Sequence, residues 1–270
     1  MLTIQDFIGT PDEKPLEKLL PDGGYTAIFR RIACIGDSLS SGEFQTPDGK
    51  GGSLYHDMFE YSWGQFMARA MGSTVYNFSR GGMRADTYMK TFAEEKGFWD
   101  KDKACECYIL ALGVNDITAM LNGELEMGTV DDVKPDWHDN AHTFAGYYAA
   151  IIQRCKEIQP DAKFFLMTIP RGRACNPADR NALEEVHHEL IYALAKHFSN
   201  TYVLDFRTYA PVYDEAFHRQ FFLSGHMNPA GYLLTAKLVM SYIDYIIRHN
   251  MREFGQVGLI GTPYIFEEKQ

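Results

Sequence analysis

Apolar residues along this chain gather into five short, nearly continuous runs, at 31–35, 74–78, 106–112, 163–168 and 201–205. Runs of this length and continuity fit parallel strands covered on both faces. Between them, apolar positions recur at helical spacing and predict helices over 63–71, 141–158, 177–198 and 228–249. Pro160 stands just past the second of these helices. Pro177 and Pro229 stand at the starts of the third and fourth, where a missing N–H breaks no helical hydrogen bond. Strands alternating with helices imply an α/β fold, a three-layer α/β/α sandwich around a mainly parallel five-stranded sheet. Right-handed crossovers then bring the loops after the strands to one edge.

Three stretches lack this periodicity. Residues 1–30 hold Pro11, Pro15, Pro21 and Gly23-Gly24 and are read as an irregular lead-in with a helical turn near 16–20. Residues 42–62 hold Pro47, Gly49, Gly51 and Gly52 beside Tyr55, His56, Phe59 and Tyr61. They are read as a long structureless insertion that walls or covers the active edge. The tail 251–270 is read as an extended arm that packs over the surface or contacts another subunit. A single domain over 1–270 is expected.

Composition narrows the partners. The chain is 46% hydrophobic over 270 residues, enough for one sizeable core. A formal net charge of −10 repels phosphate backbones, so no nucleic-acid partner is expected. No apolar run approaches the length of a membrane span. Residues 1–14 carry no basic start followed by an apolar segment, so a cytoplasmic protein is expected. Five cysteines, at 34, 105, 107, 155 and 175, are scattered and odd in number, and are read as buried free thiols. The spacing Cys105-Glu106-Cys107 does not suit a zinc site, and no metal or cofactor is expected.

The chemistry lies just past the strand ends. Gly36-Asp37-Ser38 follows the first run, Asn77-Phe78-Ser79-Arg80-Gly81-Gly82 ends the second, and Gly113-Val114-Asn115-Asp116 follows the third. Gly225-His226 precedes Asn228-Pro229, which opens the last helix. Neither a Gly-x-Ser-x-Gly elbow nor a nucleotide-binding glycine loop is present. His187-His188 lies within a predicted helix without zinc-helix spacing and is read as part of a solvated face. Arg80, Arg84 and Arg171-Gly172-Arg173 lie at the same edge. They are either contacts for a substrate carboxylate or sulfate, or ordinary surface charges and ion-pair partners.

In these four ordered blocks, between about residues 31 and 249, the chain resembles the SGNH hydrolase superfamily, the GDSL esterases and lipases. The resemblance implies the flavodoxin-like SGNH fold and a Ser38 nucleophile with His226 as its general base. It also implies an oxyanion hole from the backbone N–H groups of Ser38 and Gly82 and the side-chain amide of Asn115. Loss of one such donor typically costs about 100- to 1,000-fold in rate. The implied activity is a serine esterase acting on short acyl esters, with O-acetyl groups on carbohydrate as the leading class and no cofactor.

One position departs from the family pattern. An aspartate usually stands three residues before the histidine, and this chain has Leu223 there. Three readings stay open. The Leu223 carbonyl accepts the imidazole N–H and leaves a dyad; a carboxylate from elsewhere folds back, with Asp214 and Glu215 nearest in sequence; or catalysis is impaired. The last keeps open a carbohydrate- or anion-binding protein without turnover, and a thioesterase or acyltransferase is a nearer variant.

Overall fold

The computed structural model describes residues 3–172 and 177–266. Among the described residues seven strands are formed: β1 (Arg31–Gly36), β2 (Glu43–Pro47), β3 (Ser53–Asp57), β4 (Thr74–Ser79), β5 (Cys107–Ala111), β6 (Lys163–Met167) and β7 (Thr201–Leu204). Five of them make one sheet in the order β4-β1-β5-β6-β7, with every neighbouring pair parallel. These are the five apolar runs, each within about two residues of its expected limits.

Strand alternation divides the core into two layers. Ala33 and Ile35 of β1, Tyr108 and Leu110 of β5, and Phe164 and Leu166 of β6 point to one face. There they meet Phe144, Tyr148, Ile151 and Ile152 of the helix Phe144–Ile158, and Leu190, Ile191 and Leu194 of the helix Ala178–His197. Ile32, Cys34, Ile109, Phe165 and Met167 point to the other face, against Trp63 and Met67 of the helix Trp63–Met71 and the helix Pro229–His249. The final helix starts as its residues require: Asn228 caps it by accepting from Gly231 N, with Pro229 in its first turn.

Four local expectations change. Residues 42–62 contain an antiparallel hairpin, β2 paired with β3, rather than a structureless loop. Asp48 Oδ1 closes its turn by accepting from Lys50 N at 2.7 Å and Gly52 N at 2.8 Å. In the lead-in, residues 16–20 form no helix; the helical pieces are Gln5–Ile8 and a 3₁₀ turn, Gly24–Ile28. The tail makes two 3₁₀ turns that bury Phe254 and Val257 before its exposed end at Tyr264, Ile265 and Phe266. His187 is fully buried rather than solvated, because its ring packs beneath the loop after β5, with Nε2 3.3 Å from Leu112 O. Cys34, Cys105, Cys107 and Cys155 are free and buried; Cys175 lies outside the described residues.

Candidate active site

The turn after β1 is shaped by its own residues. Asp37 is buried and caps the short helix Ser38–Ser41 by accepting from Leu39 N at 3.0 Å. Ser38 is thus the first residue of that helix, half-buried at the sheet edge. Among the described residues no hydrogen bond engages its hydroxyl. Gly42 ends the helix with φ +83°, the left-handed cap that glycine favours, and the chain turns directly into β2.

The other two loops converge on Asp37. Asn115 sits in the first turn of the helix Val114–Leu121, and its Nδ2 lies 3.4 Å from Asp37 Oδ2 and 3.2 Å from Met83 O. Asp116 is fully buried behind it, accepts from Ala85 N at 2.8 Å, and so ties the loop after β5 to the loop after β4. Gly82 is exposed with φ +68°, and a Cβ there would meet open space. As glycine it sets no side chain of its own beside its N–H.

Burial dominates the electrostatics. It pushes the Asp37 carboxyl up to about 6 and the Asp116 carboxyl up to about 7, with the neighbouring acids Glu43 and Asp86 adding to the respective shifts. Burial also holds the His226 imidazole below its ordinary range. Burial thus disfavours the charged ring and favours the neutral one that a base needs.

His226 sits in the loop before the final helix. That loop is a tight turn in which Leu223 N donates to His226 O at 2.8 Å and Ser224 takes φ +107°. The turn sends the Leu223 side chain to solvent, 48% exposed. The ring partners come from the hairpin instead: Gln45 Oε1 lies 3.2 Å from Nδ1, and Glu43 Oε1 lies 3.2 Å from Nε2. Tyr55 packs edge-on against the ring, centroids 5.7 Å apart. None of the three orienting candidates is the ring's partner among the described residues. Nδ1 faces Gln45 rather than the Leu223 carbonyl. Asp214 caps the helix Glu215–Phe221 by accepting from Phe217 N, and Glu215 pairs with Arg219 at 3.0 Å.

Glu43 links the parts of the site. Its carboxylate contacts His226, adds to the shift on Asp37, and lies against Gly81, where a Cβ would collide with it. Its backbone carbonyl accepts from Tyr232 OH of the final helix at 2.6 Å. Glu43 and Gln45 escaped the sequence reading because they lie in no family block. The signal that could have found them is the alternation along 43–47, followed by a glycine-rich turn.

The arginines divide. Arg84 is committed to ion pairs with Asp86 at 3.0 Å and Glu124 at 2.7 Å, so it is an ion-pair partner rather than a substrate contact. Arg80 lies over the Phe92 ring, 4.5 Å from its centroid. Arg171 O accepts from Tyr213 N at the mouth of the cleft, and Arg173 lies outside the described residues.

Beside the Ser38 turn lies a largely apolar cavity of about 70 Å³, lined by Leu39, Trp63, Val114, Met167, Ile169 and Met227 among others. Leu39, Val114 and Met227 each adjoin a candidate site residue, so the cavity and the site share their walls. A wider cleft, lined by Leu39, Ile169, Pro170, Tyr213 and Gly225, leads from it towards solvent.

Comparison with known proteins bears on the family and the fold. The family model for the GDSL-like Lipase/Acylhydrolase family matches residues 34–234. Among solved structures, a family two carbohydrate esterase from Clostridium thermocellum in complex with cellohexaose is similar at 16% identity. That match covers 89% of this chain and 66% of that one, with a TM-score of 0.53. A carbohydrate esterase family 2 enzyme plus carbohydrate binding domain from Corynascus thermopiles is similar at 14% identity, over 89% and 69% of the two chains, with a TM-score of 0.54. At these identities the likeness carries the fold alone, and a search of curated proteins finds no match. The family model, spanning all four sequence blocks and most of the sheet, carries more: this chain belongs to the GDSL-like lipase/acylhydrolase family.

Proposed function

We propose that this protein is a serine esterase that hydrolyses short-chain acyl esters, O-acetyl esters of a carbohydrate foremost, through an acyl-enzyme on Ser38. The observation that carries the reading is the convergence of three strand-end loops and the His226 loop on one edge. An unengaged serine hydroxyl, an exposed glycine and an asparagine amide lie there with an imidazole whose charged form burial disfavours. The carbohydrate esterases among the fold neighbours support the alcohol class, and the small apolar cavity supports a short acyl group.

In this reading Ser38 Oγ attacks the ester carbonyl carbon while its proton passes to His226 Nε2. The carbonyl oxygen becomes an oxyanion held by the N–H groups of Ser38 and Gly82 and by Asn115 Nδ2. Collapse of the tetrahedral species breaks the carbon–oxygen bond to the alcohol, which leaves with the proton from Nε2. Water then attacks the acyl-enzyme, giving one proton to His226 Nε2; collapse breaks the bond to Ser38 Oγ, which takes that proton from Nε2 as the acid is released.

The reading is tested by hydrolysis of p-nitrophenyl esters from acetyl to decanoyl by the protein and by Ser38→Ala. Activity on the shortest chains that disappears in the variant is expected. The second reading, binding without turnover, rests on Leu223 at the position of the family's aspartate, and hydrolysis no greater than that of the variant would favour it.

A further inference from the structure

We propose, on the serine-esterase reading above, that Gln45 and Glu43 of the β2–β3 hairpin together replace the missing aspartate as positioning residues for His226. An aspartate in that place does two jobs, fixing the imidazole tautomer and stabilising the imidazolium. Here the two jobs are divided between two side chains.

The first assignment follows from hydrogen-bond chemistry alone. Gly225 N–H, which can only donate, points at Gln45 Oε1 from 2.9 Å. The amide is therefore oriented with its oxygen towards the His226 loop, and its Nε2 donates on the other side to Ser53 Oγ at 2.7 Å. An acceptor now stands 3.2 Å from His226 Nδ1 and favours the hydrogen there; with Glu43 Oε1 3.2 Å from Nε2, both acceptors are satisfied together only in the imidazolium. In the neutral ring a hydrogen on Nδ1 leaves the lone pair on Nε2, the nitrogen a general base uses.

The second assignment follows from strand alternation. Glu43 and Gln45 are two residues apart on β2 and share a face, which Tyr55 and Asp57 of β3 share as their cross-strand partners. The face is turned to His226, while Phe44 between them packs edge-on against Tyr232 and Tyr61. Glu43 Oε1 thus stands at Nε2, where a positive charge develops when that nitrogen takes the Ser38 proton. The proton later leaves Nε2 with the alcohol, so Glu43 holds charge and is not consumed. The other titratable groups facing this pair are Asp37 at the Ser38 turn, Asp57 and Tyr55 on β3, and Tyr232 on the final helix.

Proton-detected ¹⁵N spectra of the His226 ring, recorded across pH, read the tautomer and its titration directly and need no turnover. The protein is expected to show the neutral Nδ1–H form. Glu43→Gln should move the His226 midpoint down by about one pH unit and Gln45→Glu should move it up by about as much, because one change removes a carboxylate at the ring and the other adds one. The ascending limb of kcat/KM for p-nitrophenyl acetate should move with them. Gln45→Ala should lose roughly 100-fold in kcat, and Gln45→Glu should recover most of it.

A neutral Nε2–H form, or midpoints that stay put in both carboxylate variants, would overturn the assignment whatever the activity. Correct tautomer and midpoints with hydrolysis unchanged by Ser38→Ala would instead sink the serine-esterase reading and leave the ring assignment standing. Higher kcat in Glu43→Gln would make Glu43 a block on the base and refute its supporting role.

Discussion

Asp116 offers a prediction whose size and sign both follow from its surroundings. The carboxyl is fully buried; Oδ1 accepts from Ala85 N, and among the described residues Oδ2 has no partner. Burial first, and then the neighbouring acids Asp86 and Asp37, raise it from an ordinary 3.8 to about 7. A folded-state pKa raised in this way means that the native protein holds the proton more tightly than the unfolded chain. The stability it confers is full below pH 3.8 and is lost as pH rises towards 7. Asp116→Asn keeps the acceptor for Ala85 N and cannot ionise. Its amide leaves two N–H donors at the Oδ2 position where the protonated acid leaves one O–H, a difference that does not vary with pH. Measured from the difference near pH 4, the variant should therefore gain about 2 kcal/mol on the parent at pH 5.5, and about 4 kcal/mol above pH 7, at 1.36 kcal/mol per pH unit. Urea unfolding of both proteins at pH 4, 5.5, 7 and 8 measures the difference, and other titrating groups largely cancel in it. A difference that is flat with pH, or that shrinks as pH rises, would refute the claim that this carboxyl is ionised at a cost in the folded protein.

The remaining expectations are more local. Asn115→Ala should lower kcat about 100- to 1,000-fold with KM little changed, because an oxyanion donor acts in the transition state. Its unfolding midpoint should shift only modestly, since the side chain gives up two loose hydrogen bonds at 3.2 and 3.4 Å. Gly113→Ala should cost about 3 kcal/mol or more in a denaturant titration: φ is +142°, and the new Cβ would lie 2.5 Å from Nε2 of the buried His187. Ile169→Ala should open the apolar cavity and raise the butyryl-to-acetyl ratio of kcat/KM by about 10-fold, read from the same ester series.

The parts of the fold legible in the sequence are those where one pattern had one physical solution. Continuous apolar runs such as 106–112 admit a strand buried on both faces, and the prolines at 160, 177 and 229 punctuate the helices. His187 stands on the buried stripe of its helix with Glu184, Leu190, Ile191 and Leu194, so its spacing places it inside although its polar ring suggests a solvated face; Leu112 O meets that ring from the loop after β5. The hairpin was missed for another reason. Its exposed strand Ser53–Asp57 buries nothing, so the apolar signal was weak, and glycines in its turn resembled those of a free loop. What holds it is tertiary: Tyr232 OH on Glu43 O, and Phe44 between two aromatic rings.

That same hairpin explains why Leu223 can be tolerated in this geometry. An acid at position 223 would reach the ring only if its side chain turned inward. The bond from Leu223 N to His226 O and the left-handed Ser224 instead turn it to solvent. A strand laid beside the loop can approach the ring from outside, bringing every second side chain to it. The Nδ1 partner, at 3.2 Å, then comes from a segment 181 residues away in sequence, and its placement depends on how the hairpin docks. Gly42 is the hinge of that docking: at φ +83° it sits so close to Ser62 that a Cβ would lie 2.9 Å from Ser62 N. Gly42→Ala should therefore displace β2 and depress kcat through His226 while leaving the five-stranded sheet folded. The expected signature is loss of the Nδ1–H form in the ring ¹⁵N spectrum with an unchanged far-UV circular dichroism. Retention of that form at full activity would show that the hairpin's seat does not govern the base.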